Sequence, residues 1–367
     1  MRHTLDRTLL ILTIILVILG FLIFSSASLG LLAREGARFS SVALNQILFG
    51  VIGGGIALFI TSTIHYRWWR QYAFYIFGAC LLLTLTVFIP GVGFEHGGAR
   101  RWINIGPFTL QPAEFLKIAF TIYVATWLSG MKGHIQTFLK GTVPFTLLLI
   151  LVGVPLLLQP DTDTYLIMVA AALGMFITAG GKTRDVSLMV VTGILLLVIL
   201  VFTRPYIKDR IETFINPSLD PQGSGYQIKQ SLIAIGSGGL LGRGFGQSIQ
   251  KFEYLPEPIG DSIFAVYAEE FGFAGSVVLI LLFVGFALRG YRIATHAPDL
   301  FGMLLVIGII TVIIAQVFLN IAAMLALAPL SGLPLPFISH GGTALFATLA
   351  AVGIVLNVSK HQRARAM

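Results

Sequence analysis

Residues 299–328 read DLFGMLLVIGIITVIIAQVFLNIAAMLALA. After Asp299 this run carries no charged side chain, and about 20 apolar residues are enough to cross the hydrocarbon layer of a membrane. A helix satisfies the backbone there, because its N–H and C=O groups bond within the segment. The run therefore predicts a membrane-spanning helix, long enough to tilt or to leave the membrane before its end.

Similar runs recur along the chain and predict about ten membrane-spanning helices. Of the 367 residues, 56% are hydrophobic and 11% are charged, whereas soluble proteins usually carry about 25% charged residues. The sequence therefore predicts an all-α integral membrane protein, with residues 1–367 forming a single polytopic domain. The predicted spans are 8–28, 44–64, 72–90, 112–130, 142–159, 163–181, 187–204, 263–289, 299–328 and 340–358.

The basic residues predict the orientation of these helices, because short cytoplasmic loops are enriched in Lys and Arg. Both termini are expected in the cytoplasm, and residues 205–262 then form a long extracytoplasmic loop between the seventh and eighth spans. The short outer loops carry four basic residues: Arg34, Arg38, Arg100 and Arg101. The inner segments carry thirteen: Arg2, Arg7, Arg67, Arg70, Lys132, Lys140, Lys182, Arg184, Arg289, Arg292, Lys360, Arg363 and Arg365.

The net charge of +8 does not indicate a nucleic-acid partner. The basic residues stand singly or in pairs between apolar runs, and they form no stripe interleaved with aromatic residues. The one cysteine, Cys80, lies within an apolar run, so neither an intrachain disulfide nor a cysteine metal site is expected. Membrane lipid is the expected surrounding for most of the chain.

The outer loop 205–262 is too long for a plain connector, and loops of this length in compact folds are usually functional. Tyr206 to Phe214 has apolar residues on one side and charged residues on the other, which predicts a short interfacial helix. Glycine-rich turns follow at 236–239 and 242–246. Asp261 then stands directly before the eighth span, as the N-cap of that helix or as a functional carboxylate.

Ionisable residues within or beside spans are costly and usually functional. Glu114 and Lys117 are three residues apart in the fourth span and so share a helix face. They form either a neutralising ion pair or the polar wall of an outward-facing cavity. Asp161 and Asp163 follow Pro160 at an outer junction, where they form a solvated turn or part of a site.

Two adjacent arginines, Arg100 and Arg101, lie on the outer side, although basic residues usually prefer the cytoplasmic side. Their unusual position favours a role in binding an anion such as a phosphate. Trp102 beside them suits the headgroup region, so an interfacial anchor is the alternative. His340 lies in the Pro- and Gly-rich outer segment 331–342, which must pack against protein or a wet cavity. It is interpreted as a structural residue or a proton carrier.

Eight motifs in order resemble those of the SEDS family, the RodA, FtsW and SpoVE proteins of cell shape, cell division and sporulation. Each motif is weak alone, but together they cover essentially the whole chain. The Tyr-Leu-Pro-Glu stretch at 254–257 slightly favours the FtsW branch. The motifs are Gly98 to Ile103, Gln111 to Lys117, Gln159 to Asp161, Gly242 to Gly246, Gln250 to Glu257, Asp261 to Val266, Glu269 to Phe273 and Gly332 to Ser339.

The resemblance implies a peptidoglycan glycosyltransferase that polymerises lipid II, a polyprenyl-linked disaccharide, during cell-wall synthesis. It implies that Asp261 is the essential outer aspartate and that the active site is extracytoplasmic, on the bacterial cytoplasmic membrane. It also implies a class B penicillin-binding transpeptidase as partner. Substrate contacts are predicted for Glu114, Lys117, Arg100, Arg101, Trp102, Asp161, Arg243, Lys251 and Ser339.

The implied reaction needs a base for the attacking GlcNAc 4-hydroxyl and positive charge for the departing diphosphate. Asp261 is the predicted base. A divalent cation, Mg²⁺ or Mn²⁺, could share the second task, although no dedicated metal cage is visible in the sequence. The predicted diphosphate contacts are Arg100, Arg101, Lys117, Arg243 and Lys251.

The chain departs from the family pattern at three places. Ile259-Gly260 stand where the family usually has His-Thr or His-Asn, Asp163 stands where a Gly is frequent, and His340 replaces a Tyr. A lipid II flippase is the alternative function, since intramembrane polar residues and broken helices also suit a transporter. The clustering of the polar residues on the outer side favours the enzyme.

Overall fold

The computed structural model describes residues 5–34, 40, 42–96, 99–105, 108–131 and 133–362. Arg2, Arg38, Lys132, Arg363 and Arg365, which contribute to the predicted orientation, lie outside the described residues, as does Gly98 of the first motif. Three short strands are present, β1 (Gly93–His96), β2 (Ala99–Ile105) and β3 (Phe108–Leu110). The helices are α1 (Arg7–Arg34), α2 (Val42–Thr63), α3 (Tyr66–Leu85), α4 (Pro112–Gly130), α5 (Phe138–Leu158), α6 (Thr162–Thr178), α7 (Thr183–Thr203), α8 (Pro205–Ile215), α9 (Ser224–Ser237), α10 (Gln250–Glu253), α11 (Ile263–Thr295), α12 (Leu300–Met324) and α13 (Gly342–Lys360).

Every predicted span corresponds to a helix. In the described part of the chain, eight helices are long and apolar enough to cross a membrane: α1, α2, α3, α5, α7, α11, α12 and α13. The other two predicted spans are α4, whose run includes Glu114 and Lys117, and the shorter apolar helix α6. The helical membrane class is therefore confirmed.

The segment between α3 and α4 departs from the all-α prediction, because it forms a small antiparallel sheet in the order β1-β2-β3. Trp102 of β2 lies opposite Phe94, and Ile103 lies opposite Leu110. Successive side chains of a strand point to opposite faces. Arg101 therefore points inward with the buried Ile103, whereas Arg100 is exposed on the other face.

Several helix boundaries differ from the predictions. α3 begins at Tyr66 rather than at 72, because the His65 side chain accepts a hydrogen bond from Arg67 N and caps the helix. α11 continues to Thr295, six residues past its predicted end. Basic side chains occupy both added segments, and their apolar stems can lie along the helix while the charge reaches water. The apolar pattern alone therefore predicts helices that are too short at these two boundaries.

The helices pack around α4, α12 and α13, in each of which most residues are buried, while α7 stands at the edge with only Asp185 buried among its residues. The two ends of the described chain meet at one end of the bundle. Asp6 N donates to Ser359 Oγ at 3.1 Å, and the Asp6 carboxylate pairs with Arg289 at 2.7 Å. The loop 205–262 covers the opposite end.

This loop is more ordered than the sequence predicts. α8 confirms the helix predicted over Tyr206 to Phe214, and its interfacial position stays a prediction, but α9 was not predicted. After α9, the glycine-rich segment docks on a break in α11 at Gly272, whose φ of 65° is unfavourable for other residues. Arg243 N donates to Glu269 O at 3.0 Å, and Phe273 N donates to Gly239 O at 2.9 Å. The break thus joins the loop firmly to α11.

Candidate functional site

Asp261 lies two residues before the first residue of α11 and is partly exposed. The N-cap of α11 is Ser262, and no side chain caps the helix, so the N-cap interpretation of Asp261 is wrong. Its Oδ1 instead accepts hydrogen bonds from Gln227 Nε2 at 3.1 Å and from Ser262 Oγ at 3.4 Å. The carboxylate is therefore directed away from the helix and toward α9.

The backbone around Asp261 is held by α12 and by the segment 331–341. Asn320 Nδ2 donates to Asp261 O and to Leu333 O, both at 2.8 Å. Ser339 Oγ donates to Gly260 O at 2.7 Å. Asp261 thus has a fixed backbone, and the predicted site residue Ser339 acts on it through its neighbour.

His340 has a structural role in the same segment. Its backbone N donates to Ile259 O at 2.7 Å, and its ring stacks on Phe24 with 5.9 Å between centroids. These contacts agree with the structural interpretation of this residue.

The surroundings of Asp261 make its carboxylate a stronger base than an ordinary aspartate. Burial, and then the negative charge of Glu257, raise the pKa of Asp261 from 3.8 to about 6. Hydrogen bonds from Gln227 and Ser262 act in the opposite direction, since they favour the charged form. The group is therefore ionised at neutral pH while keeping a pKa close to working pH, which suits a general base.

Glu114 and Lys117 form a buried ion pair, with 2.9 Å between Lys117 Nζ and Glu114 Oε1. Lys117 Nζ also donates to Gln316 Oε1 at 2.7 Å, and Gln316 Nε2 donates to Pro334 O at 2.8 Å. Both side chains line a cavity of about 20 Å³, roughly the room for one water. The ion pair is therefore confirmed, and the pair also lines a small cavity, whose opening to the outer side stays a prediction.

Gln316 and Asn320 link these two groups, because they lie one helical turn apart on α12. Gln316 binds Lys117 and the segment 331–341, while Asn320 binds the same segment and the backbone of Asp261. Neither residue is predicted from the sequence, although two amides within an otherwise apolar span are a detectable signal.

An apolar groove of about 450 Å³ runs beside the small cavity, between α2, α3, α4 and α13. Ile118 and Ala347 line both spaces. Ile56 and Ile60 form part of the groove wall and are exposed at the surface of the bundle. The groove is therefore open to the membrane side and adjoins the polar pair.

A second polar cluster lies where β2, α6 and α8 meet. Asp161 is fully buried, with 3.7 Å between its Oδ1 and Arg101 NH1, so a solvated turn is wrong for this residue. Arg101 also donates to the carbonyl oxygens of Gln159 and Pro160. The Asp163 carboxylate pairs with Arg210 of α8 at 2.7 Å, which fastens that helix to α6.

Lys251, a predicted diphosphate contact, is buried between the loop 205–262, α1 and α11. Its ammonium is fully buried and lies 2.7 Å from Glu270 Oε1, and it also donates to Ser26 Oγ at 2.9 Å. Arg243 is directed to Glu269, with 3.6 Å between Nε and Oε1. These cations hold the loop to α11, so the position of Lys251 argues against a direct diphosphate contact.

Comparison with known proteins identifies the family. The family model described as Cell cycle protein, for FtsW, RodA and SpoVE, matches residues 6–364. The chain belongs to the FtsW/RodA/SpoVE family. Stage V sporulation protein E of Bacillus subtilis (strain 168) is 40% identical over 358 residues, 98% of each chain. Probable peptidoglycan glycosyltransferase FtsW of Geobacter metallireducens is 38% identical over 358 residues, 98% of this chain and 95% of that protein.

Solved structures of the same family share the fold. One, described as "Structural coordination of polymerization and crosslinking by a peptidoglycan synthase complex", matches with a TM-score of 0.80 and 28% identity over 98% of both chains. The crystal structure of Thermus thermophilus rod shape determining protein RodA matches with a TM-score of 0.71 and 27% identity over 98% of both chains. The predicted family is therefore confirmed, and the predicted enzyme class agrees with the name of the FtsW relatives.

Within this FtsW/RodA/SpoVE chain, the predicted site residues fall into separate groups. Ser339 adjoins Asp261 through Gly260, and Lys117 is joined through Gln316 to Pro334 of the same segment as Ser339. In the described part of the chain, neither Arg101 nor Lys251 pairs with Asp261. Trp102 is partly exposed on the sheet beside the exposed Arg100. The substrate-binding roles of these residues remain predictions.

The described residues form no metal site by themselves. No group of three or more His, Cys, Asp or Glu side chains that could hold an ion occurs among the residues that the structure describes. Mg²⁺ is often held by few protein groups together with substrate phosphates. A divalent cation therefore stays a prediction, and no step below depends on it.

Proposed function

We propose that this chain polymerises lipid II into glycan strands as a peptidoglycan glycosyltransferase. The observation that carries the proposal is the carboxylate of Asp261, which is partly exposed, held by neutral donors and raised in pKa to about 6. Such a group can accept a proton at neutral pH. Membership of the FtsW/RodA/SpoVE family and the name of the FtsW relatives support the same reaction.

In the proposed reaction, Asp261 removes the proton from the 4-hydroxyl of the acceptor GlcNAc. The freed oxygen attacks the anomeric carbon of the donor MurNAc, a new glycosidic bond forms, and polyprenyl diphosphate leaves. Positive charge must stabilise the leaving group as the bond breaks. Of the five predicted diphosphate contacts, Arg100 and Arg243 are exposed and Arg101 is partly exposed, whereas Lys117 and Lys251 are buried in ion pairs. The three arginines are therefore the proposed sources, and a divalent cation would supply further charge.

The apolar groove supports a lipid-linked substrate. A polyprenyl tail is apolar, so it gains nothing by leaving the hydrocarbon layer, and the groove offers about 450 Å³ beside the polar cavity. A tail entering past Ile56 and Ile60 would remain in an apolar setting. This arrangement explains why such an enzyme is embedded in the membrane.

The proposed setting is the cytoplasmic membrane of a bacterium, with both termini in the cytoplasm and the loop 205–262 outside. The excess of basic residues on the inner segments supports this orientation. A class B penicillin-binding transpeptidase is the proposed partner, as crosslinking must follow polymerisation. The similar structure that describes both steps in one peptidoglycan synthase complex supports that pairing.

Replacing Asp261 by Asn tests the proposal. A lost general base lowers a rate by about 10² to 10⁴, so glycan formation from purified lipid II should fall at least 100-fold. The measurement is gel separation of the glycan chains made by the purified full chain, with and without the transpeptidase partner.

The matched control is Asp209→Asn, which changes an exposed aspartate of α8 in the same loop and should leave the rate unchanged. Glycan chains formed at the normal rate by Asp261→Asn would show that the base is assigned wrongly. If the wild-type chain moves labelled lipid II across vesicle membranes and makes no glycan, the flippase alternative replaces the enzyme.

A further inference from the structure

Gln227 is the side chain of α9 that touches the carboxylate of Asp261. Its Nε2 lies 3.1 Å from Asp261 Oδ1 and 2.9 Å from Ser262 Oγ. Ser262 Oγ donates to the same Oδ1 across 3.4 Å. Both side chains therefore act on Oδ1, whereas Oδ2 receives no hydrogen bond from a side chain within the described ranges.

These three groups fix one another's orientation. The amide of Gln227 carries two donor hydrogens, and each has one acceptor here. Turning the amide over would place its carbonyl oxygen against Oδ1 of Asp261, so the hydrogen bonds determine which way it points. Ser262 accepts from Gln227 and donates to Asp261, and such a closed network restricts rotation of the carboxylate.

The helix that carries Gln227 is anchored at both ends. At its start, Asp220 Oδ2 accepts a hydrogen bond from Ser224 N at 2.7 Å. At its end, Gly238 lies so close to Ala268 of α11 that a side chain on it would overlap the Ala268 carbonyl oxygen. Gln227 thus reaches the carboxylate from a fixed position.

The elements packed around Asp261 present mostly neutral polar groups. α9 and α12 present the neutral amides of Gln227 and Asn320. The segment 331–341 brings His340, which bonds to Ile259 through its backbone. Glu257 precedes Asp261 in the loop, and its negative charge opposes ionisation of the aspartate.

We propose that Gln227 is a positioning residue that holds Oδ1 of Asp261 and leaves Oδ2 to take the proton of the acceptor hydroxyl. This inference rests on the proposed glycosyltransferase function, in which Asp261 is the base. A donor on Oδ1 also favours the ionised carboxylate and so counteracts burial and Glu257. Gln227 therefore sets both the direction and the basicity of the carboxylate.

Gln227→Leu in the full chain tests this role, because leucine has a similar size and no donor. The carboxyl of Asp261 is titrated directly by infrared difference spectroscopy, and kcat/KM for lipid II is measured against pH. In the wild-type chain both should report a pKa near 6. In Gln227→Leu both should move upward together, with kcat/KM below pH 6 falling about tenfold or more.

Two further variants complete the test. Gln222→Leu changes an exposed glutamine of the same loop and should leave both curves in place. Gln227→Glu brings a like charge to Asp261 and should move both curves further upward. Curves for Gln227→Leu that coincide with those of the wild type would overturn the proposal. A loss of rate with an unchanged pH profile and a lower Tm would also overturn it, because that pattern marks a merely structural residue.

The infrared titration separates this inference from the proposed function, since it requires no turnover. If the wild-type chain forms no glycan, the proposed function fails. The shift of the Asp261 carboxyl in Gln227→Leu then still decides whether Gln227 holds it.

Discussion

The carboxylates at the start of α11 fall into two groups with opposite surroundings. Glu270 is fully buried and lies 2.7 Å from the ammonium of Lys251, and Glu269 accepts hydrogen bonds from Ser248 Oγ and from backbone N–H groups. Asp261 is partly exposed, receives side-chain hydrogen bonds only from neutral donors among the described residues, and lies near a second negative charge. The charge of Glu270 is neutralised by Lys251, whereas the charge of Asp261 has no cation beside it among the described residues.

This difference distinguishes carboxylates that stabilise the fold from a carboxylate that can act as a base. A buried charge needs a partner, because desolvation is costly, and a charge that already has its partners is poorly available to a substrate. A carboxylate without a cation keeps part of its basicity for a reaction. The contrast therefore indicates that Glu270 stabilises the fold, whereas Asp261 keeps the basicity that a reaction needs.

The largest effect on stability is expected for Glu270→Gln. The substitution keeps the shape but leaves the Lys251 ammonium buried without its counter-charge, which typically costs about 3–5 kcal/mol. Thermal unfolding of the purified chain in detergent should show a clearly lower Tm. A Tm equal to that of the wild type would contradict the structural role of this pair.

The control for that experiment removes both charges at once. Lys251→Met combined with Glu270→Leu replaces the ion pair by apolar side chains, a change that is often nearly neutral. Most of the lost stability should therefore return in the paired variant. A loss equal to the sum of the single variants would mean that the two residues act independently.

Asp261→Asn is expected to raise the Tm or leave it unchanged, in contrast to Glu270→Gln, and the size of this effect should be intermediate. The folded chain holds the Asp261 proton more tightly than the unfolded chain does, because the folded pKa is about 6 and the ordinary value is 3.8. The wild-type chain therefore loses stability as pH rises from 3.8 through 6. Asp261→Asn lacks this loss and should have a Tm at pH 7 at least as high as that of the wild type, with a smaller difference at pH 4. A Tm at pH 7 well below the wild-type value would contradict the contrast with Glu270.

The smallest effect is expected for Asp163→Asn. Asp163 and Arg210 are both partly buried, so this pair lies between an exposed ion pair, which contributes about 1 kcal/mol or less, and the fully buried pair of Glu270. The contact between Tyr206 and Thr162 also still joins α8 to α6 in this variant. The Tm should fall by a few degrees at most, and a fall comparable with that of Glu270→Gln would place Asp163 among the scaffold charges.

The sequence predicts the membrane helices well, because apolar runs have a single stable form in lipid. It predicts the small sheet and α9 poorly. The β2 segment is short and charged, and α9 mixes polar and apolar residues outside the membrane. Such segments take their structure from the elements that they contact, which a local pattern does not contain.

The site could be predicted in part. Asp261, Glu114 and Lys117 stand out because charge is rare near hydrocarbon, and the structure places all three at the same end of the bundle. Lys251 was predicted as a diphosphate contact, but its partner Glu270 comes from α11 and could not be paired with it from sequence. Gln227 is neutral and lies in a loop, so only its distance to Asp261 reveals it.

The groove beside the cavity is an open slot rather than a tunnel, since Ile56 and Ile60 of its wall reach the surface of the bundle. A tail can then slip in from the side without being threaded end first. Substrate delivery becomes a matter of diffusion in two dimensions. For the proposed lipid-linked substrate, the working concentration is therefore its mole fraction in the bilayer, and diluting the membrane with inert lipid should slow the enzyme even when the bulk concentration is constant.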